Sequence, residues 1–218
     1  MTEILEKIYT TRHDHKDALG GGSSGFEAER VALFVSLIGS GKRVLDLGCR
    51  DGRIARHLLA SGNEVVGFDV DSNALKRCPP GMVTEWKDLN DDWHRGYEGQ
   101  FDVVVASEVI EHIYYADRTV AKIVAVLKPG GVFIGSVPNA FNIKNRLRLL
   151  FGQIQNTPLA EPTHINHFSY QSLTRLLAQQ FAAVWVSGIA RPRWRLVAKL
   201  LPGLGGSLLV FKAQKPKN

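Results

Sequence analysis

Apolar positions along this chain fall into two patterns that take turns. Short, nearly continuous apolar runs occupy residues 43–47, 64–69, 83–86, 101–106 and 132–137. They have the length and composition of strands buried on both faces. Between them, apolar residues recur at helical spacing and predict helices over 53–60, 72–76 and 118–127. A chain that alternates in this way builds a parallel sheet with helices on both sides. Upstream, residues 2–8 place Ile4, Leu5 and Ile8 on one helical face, and Gly20-Gly-Gly-Ser-Ser-Gly25 reads as a flexible hinge. Ser24 and Glu27 form a capping-box pair ahead of a helix over 26–38.

Downstream of residue 138 the pattern loosens. Residues 139–168 form a polar insertion carrying a basic, helix-like piece, Lys144-Asn-Arg-Leu-Arg-Leu-Leu150. Ser169 then caps a helix over 170–180. A strand over 183–188, a helix over 194–200, a tight turn over 202–206 and a strand over 207–213 follow. Lys128-Pro-Gly-Gly131 reads as a turn before the strand at 132. No repeat or low-complexity tract divides the chain. One domain over 1–218 is expected, with residues 1–40 as a helical lid or surface cover and 139–168 lying over the active site.

Composition narrows the class. The 218 residues are 44% hydrophobic and 22% charged, which suits a soluble globular domain with a sizeable core. No apolar run approaches the roughly 20 residues of a membrane span. The start of the chain is acidic and amphipathic, unlike a secretion signal. Two cysteines, Cys49 and Cys78, argue against a disulfide scaffold. A cytoplasmic protein is expected. The net charge of +6 leaves nucleic acid, an anionic membrane surface or an acidic substrate open as partner.

The stretch Val44-Leu-Asp-Leu-Gly-Cys-Arg-Asp-Gly52 is a strand running into a glycine-bearing turn and then a helix. Backbone N–H groups there face a crevice at the carboxyl end of the sheet, a place for a nucleotide-like ligand. Asp46 ends that strand, and its carboxylate disfavours phosphate and favours a cation. Asp69, ending the next strand about 20 residues after the turn, is placed to accept hydrogen bonds from both ribose hydroxyls. Asp88, after the third strand, could receive an adenine amine. Each acid alone could be a cap or turn residue; three at successive strand ends point to a shared ligand.

These residues, with Gly67-Phe-Asp69, Asp88-Leu89, Phe101-Asp-Val-Val-Val105 and Leu127-Lys-Pro-Gly-Gly131 in that order, resemble the class I S-adenosylmethionine-dependent methyltransferases. The resemblance covers residues 40–138. It implies a Rossmann-like, doubly wound α/β fold, with seven strands and the last antiparallel. It also implies that Gly48 and Gly52 line the methionine part of S-adenosyl-L-methionine, Asp69 the ribose and Asp88 the adenine; Val70, Leu89 and Ser107 are expected to bind the cofactor with them. The family usually has glycine where Arg50 stands, so Arg50 either crowds the turn or reaches toward a substrate anion.

Ser107-Glu-Val-Ile-Glu-His112 follows the fourth strand, where the methyl group is to be presented. Glu108, Glu111 and His112 could share one helical turn, and His164 and His167 could join them from the insertion. Two carboxylates and imidazoles suit a divalent cation such as Mg, Mn or Zn. The same side chains, Glu111, His112, His164 and His167, serve equally as bases or substrate-orienting groups. The cluster resembles that of the ubiquinone-pathway O-methyltransferases and of the small-RNA terminal 2′-O-methyltransferases. The later stretch here lacks the acidic and tryptophan residues of the RNA enzymes.

The expected function is transfer of the sulfonium methyl to an oxygen of a small molecule: a sugar, a phenol or quinol, or a lipid-linked acceptor. The alternatives are RNA 3′-terminal 2′-O-methylation, a non-catalytic adenosyl-ligand binder, and a nicotinamide oxidoreductase whose third close glycine is missing. The basic amphipathic pieces at 144–151 and 191–201 suit an anionic membrane interface, a substrate lid, or two helices packed as cover.

Overall fold

The computed structural model describes Glu6, Lys7, Thr10, Thr11 and residues 26–217. The expected helix over 2–8, the glycine hinge and the Ser24 cap lie outside the described residues, apart from helical backbone at Glu6 and Lys7.

Seven strands form one sheet in the order β3-β2-β1-β4-β5-β7-β6. They are β1 (Arg43–Leu47), β2 (Glu64–Asp69), β3 (Val83–Trp86), β4 (Phe101–Ser107), β5 (Leu127–Pro138), β6 (Ala183–Ile189) and β7 (Leu208–Gln214). The first five run parallel. β7 inserts antiparallel between β5 and β6. The strand order reverses between β1 and β4, and a crevice opens there beyond the carboxyl ends of the strands.

Side chains along a strand point alternately to its two faces, and the strand residues divide accordingly. Leu45, Leu47 and Val104 join one apolar cluster with Val120 and Ile123 of helix α4 (Ala116–Val126). Val44, Val103 and Val105 join another with Phe34 and Ile38 of α1 (Glu27–Ile38) and Ala55 and Leu58 of α2 (Arg53–Ala60). Both faces are therefore dry, which is why these strands read as unbroken apolar runs. Between β2 and β3 lies the short helix α3 (Ser72–Leu75), whose first turn is capped by Asp71.

Several boundaries depart from the sequence expectations. α1 begins after Phe26, which offers no side-chain cap. Residues 128–131 do not form a separate turn but belong to β5, because Leu127 already pairs with Phe101 across a local register shift. The helix expected over 118–127 starts earlier, at Ala116. In the insertion, α5 spans Ile143–Leu150 and is capped by Asn142. Helix α6 (Tyr170–Ala178) begins at Ser169 with a reciprocal Ser169–Ser172 cap. α7 covers Arg195–Leu200, and the expected tight turn after it is instead a short helix, α8 (Pro202–Gly205), started by a proline at its first turn.

Candidate active site

The turn after β1 is shaped by close approaches. Gly48 takes φ +65°, and a Cβ there would stand 2.6 Å from Cγ2 of Val109 in the loop after β4. The two loops flanking the crevice can meet only because Gly48 has no side chain. The N–H groups of Gly48 and Cys49 both donate to the Phe68 carbonyl, at 2.8 and 3.1 Å, which ties the turn to β2. Arg50, where the family pattern expects glycine, adopts φ +52°. A residue with a Cβ occupies this left-handed conformation at a cost of about 1–2 kcal/mol.

That strain has an identifiable compensation. The Arg50 N–H donates to Asp69 Oδ2 at 2.7 Å, and the Asp71 N–H donates to Asp69 Oδ1 at 2.9 Å. Asp69 is buried at the end of β2, so each oxygen is fixed by a backbone donor. Asp88 is oriented by Asn90, whose N–H and side-chain amide both donate to Oδ1, at 2.9 and 3.0 Å. The Asn90 side-chain oxygen in turn accepts from the Tyr114 N–H. Trp86 Nε1 donates to the Val70 carbonyl at 2.9 Å and holds the loop after β2.

Asp46 is only 2% exposed, and its Oδ2 accepts no hydrogen bond among the described residues. Burial, and then the nearby Asp69 and Cys78, push its carboxyl up to about 8. Cys49 and Cys78 are free thiols. Both thiols donate to the Arg50 carbonyl, at 3.8 and 3.3 Å. The interaction with Cys78, together with burial, raises Cys49, and the interaction with Cys49 lowers Cys78.

Asp46, Gly48, Asp69, Val70, Asp88, Leu89, Ser107, Glu108, Glu111, His112 and His164 line one cleft of about 380 Å³. The three strand-end acids thus face a common space. Gly52 and His167 are not among the lining residues. Gly52 instead adopts φ +73° at the start of α2 and packs on Pro79. Eight carboxyl groups and four lysines or arginines line the cleft, an acidic balance even with Asp46 protonated, inside a protein of net charge +6. A cation is favoured there over an anion. Among lining residues the sequence did not single out, Glu27 and Arg30 come from α1, Lys87 and Asn90 flank Asp88–Leu89, and Glu161 comes from the insertion. Only Lys87 and Asn90 carried a local signal, their adjacency to Asp88.

The Glu/His segment is arranged differently from the expected single turn. A 3₁₀ turn covers Ile110–His112 alone. Glu108 stands before it at φ +57° and reaches Arg30 of α1 at 3.1 Å. Glu111, His112 and His164 come together, with potential ligand atoms all within 4.8 Å of one another. Glu108 and His167, both expected in a cation site, lie outside that group. The His164 and His167 rings are 6.4 Å apart between centroids, whereas those of His112 and His164 are 4.8 Å apart.

Backbone contacts explain the grouping. The Glu111 carbonyl accepts from the N–H groups of Ile165 and Asn166, both at 2.9 Å, pinning the insertion to the 3₁₀ turn. His112 Nδ1 lies 2.7 Å from the Thr163 carbonyl, and His164 Nδ1 lies 3.0 Å from the Pro158 carbonyl. A carbonyl only accepts, so each Nδ1 carries a proton. In the neutral ring Nε2 is then the acceptor nitrogen.

Comparison with known proteins gives the same frame. A family model for a methyltransferase domain matches residues 25–181. A ubiquinone biosynthesis O-methyltransferase of Thiobacillus denitrificans is 32% identical over 119 residues, covering 52% of this chain and 51% of that protein. Another, from Aromatoleum aromaticum, is 31% identical over 111 residues, covering 47% of each. The chain thus spans about half the length of these relatives. In fold it is similar to a Burkholderia thailandensis 1,6-didemethyltoxoflavin-N1-methyltransferase solved with 1,6-didemethyltoxoflavin and S-adenosylhomocysteine. The TM-score is 0.67 at 18% identity, covering 98% of this chain and 88% of that one. An S-adenosylmethionine-dependent methyltransferase from Archaeoglobus fulgidus gives 0.66 at 17% identity, covering 86% and 92%. With that match over most of its length and with this sheet order, the chain belongs to the class I S-adenosylmethionine-dependent methyltransferase family.

Proposed function

We propose that the protein binds S-adenosyl-L-methionine in this cleft and transfers its methyl group to an oxygen of a small molecule such as a phenol or quinol. The observation that carries the binding half is Asp46, a buried acid whose Oδ2 has no donor among the described residues, in a cleft with an acidic balance. That environment fits the cationic methionine end of the cofactor. In this reading the turn at Gly48 lies along the methionine part. Asp69, held in place by its backbone donors, takes the ribose hydroxyls. Asp88, with Val70 and Leu89 beside it, takes the adenine, and Ser107 borders the cofactor.

The cofactor supplies an activated sulfonium methyl, so the protein's task is mainly to position the acceptor and take up its proton. His112 suits that task. The Thr163 carbonyl fixes its tautomer with the proton on Nδ1, so Nε2 is the ring nitrogen that takes up the acceptor's hydroxyl proton. Buried Glu111 stabilises the imidazolium that forms. His164, edge-on to His112, orients the acceptor. The Thiobacillus and Aromatoleum relatives are O-methyltransferases by name, which supports oxygen as the nucleophile.

The test is methyl transfer from S-adenosyl-L-methionine to a panel of catechols, hydroquinones and sugars, followed by mass spectrometry. Methylation on oxygen that disappears in His112→Ala, while S-adenosylhomocysteine still binds, supports the assignment. Methylation on nitrogen or carbon overturns it.

A second reading rests on the same trio. Two imidazoles and a carboxylate, with ligand atoms within 4.8 Å of one another, are a donor set for Mg, Mn or Zn, and a backbone carbonyl on each Nδ1 is the usual outer support of a metal-bound histidine. Activity lost to a chelator and restored by one of these ions would move Glu111, His112 and His164 from base chemistry to cation binding.

A further inference from the structure

The two basic amphipathic pieces leave much of their apolar surface uncovered, although α7 packs on β6 through buried Ala198. In α5 and the residues after it, Leu147, Leu150, Phe151 and Ile154 are exposed, Leu150 and Phe151 each at 75%. Around α7, Trp194, Leu196, Leu200 and Leu201 are exposed, Leu196 at 69% and Leu200 at 68%. Scattered apolar side chains on a surface are ordinary, but eight large ones confined to two short segments are not.

The charge on the same segments is one-sided. Residues 144–151 and 191–201 carry seven lysines and arginines and no acid, more than the whole chain's net +6. Arg146 and Arg148 are braced by hydrogen bonds to the carbonyls of Phe141, Gln155 and Asn156, so their cations are held in place beside the exposed leucines.

The two segments are joined through one buried residue. The Asn139 side-chain amide donates to the carbonyls of Gly203 and Gly206, at 3.1 and 2.9 Å, just after α7. The Asn139 carbonyl accepts from the side-chain amides of Asn142 and Asn145 at the start of α5. Each segment is tied to an element that lines the cleft. The insertion that carries α5 supplies Glu161 and His164 to it, and Arg195 of α7 pairs at 3.3 Å with Glu29, next to cleft-lining Glu27 and Arg30 of α1.

We infer that α5, α7 and the residues flanking them form a docking surface for an anionic phospholipid bilayer, with the cleft opening beside it. The apolar side chains enter the interfacial region, and the arginines and lysines meet the lipid phosphates. A nucleic acid would be met by the cations but gives no reason for exposed Leu150, Phe151, Leu196 and Leu200. A second copy of the chain would bring seven like charges against seven.

The test is flotation of the purified 218-residue chain with vesicles of phosphatidylcholine, with and without phosphatidylglycerol. Two variant pairs are compared: Leu150→Ser with Phe151→Ser, and Arg193→Ala with Lys199→Ala. Retained S-adenosylhomocysteine binding and an unchanged circular dichroism spectrum show that each is folded. The expected result is co-flotation with phosphatidylglycerol vesicles only, released at high salt. The apolar pair should weaken binding by about tenfold per side chain. The charge pair should weaken it by about fivefold per residue. No flotation with anionic vesicles, equal flotation with neutral ones, or full binding by both folded variants would overturn the inference. So would a lipid-independent dimer lost in the apolar pair, or retention on a short RNA duplex without vesicle binding.

Discussion

Asp46 makes the cleft's electrostatics measurable before any substrate is known. Its carboxyl is raised from 3.8 to about 8, first by burial and then by Asp69 and Cys78. The folded state therefore holds the Asp46 proton more tightly than the unfolded chain does. The stabilisation is fully present below pH 4 and is lost as pH rises through 8. At about 1.36 kcal/mol per unit, moving from pH 6 to pH 9 removes about 3 kcal/mol through this one group. Asp46→Asn cannot ionise and should remove that share of the pH dependence. Urea unfolding of both proteins at pH 6 and pH 9 reads the difference directly. Cofactor binding is coupled to the same proton: a cation beside Asp46 favours the carboxylate, so binding at pH 6.5 should release a proton. S-adenosylhomocysteine should bind the native protein about tenfold more tightly per unit of rising pH below 8, with a flatter profile in the variant. Equal pH slopes for the two proteins, in unfolding and in binding, would refute the reasoning.

Other consequences follow from the same geometry. Asp69→Ala should abolish measurable S-adenosylhomocysteine binding by calorimetry and lower stability by about 1–3 kcal/mol, because the Arg50 and Asp71 N–H groups lose their acceptor. Arg50→Gly should relieve about 1–2 kcal/mol of left-handed strain while adding about 0.5–1 kcal/mol of unfolded-state entropy, giving a net gain of about 0–1.5 kcal/mol in urea titrations. Gly48→Ala should be destabilised and bind cofactor poorly, since its methyl would meet Val109 at 2.6 Å. Glu111→Gln with His112→Ala should lose methyl transfer and keep S-adenosylhomocysteine affinity within a few fold.

That Asp46, Asp69 and Asp88 share one cleft was legible in the sequence because that side is built from local rules. A strand buried on both faces ends on an acid, a glycine turn follows, and Asp46, Asp69 and Asp88 mark successive edges without reference to distant residues. The Glu111/His112/His164 side was not, because long-range contacts build it. Nothing local tells that Glu108 turns to Arg30 of α1 or that Thr163 fixes His112. Nor does spacing tell His164 from His167; the hydrogen bonds from Ile165 and Asn166 to the Glu111 carbonyl select the first. The same holds for α5 and α7. Their amphipathic pattern is that of packed helices, and only the surroundings leave Leu150 and Leu196 uncovered.

The central claim is that acids at three neighbouring strand ends hold one adenosyl ligand. Titration calorimetry of the native protein with S-adenosylhomocysteine tests it most directly. A saturable one-site isotherm, lost in Asp69→Ala and shifted in its pH profile by Asp46→Asn, is the result expected. An isotherm without heat or saturation, or one that Asp69→Ala leaves unchanged, would contradict it.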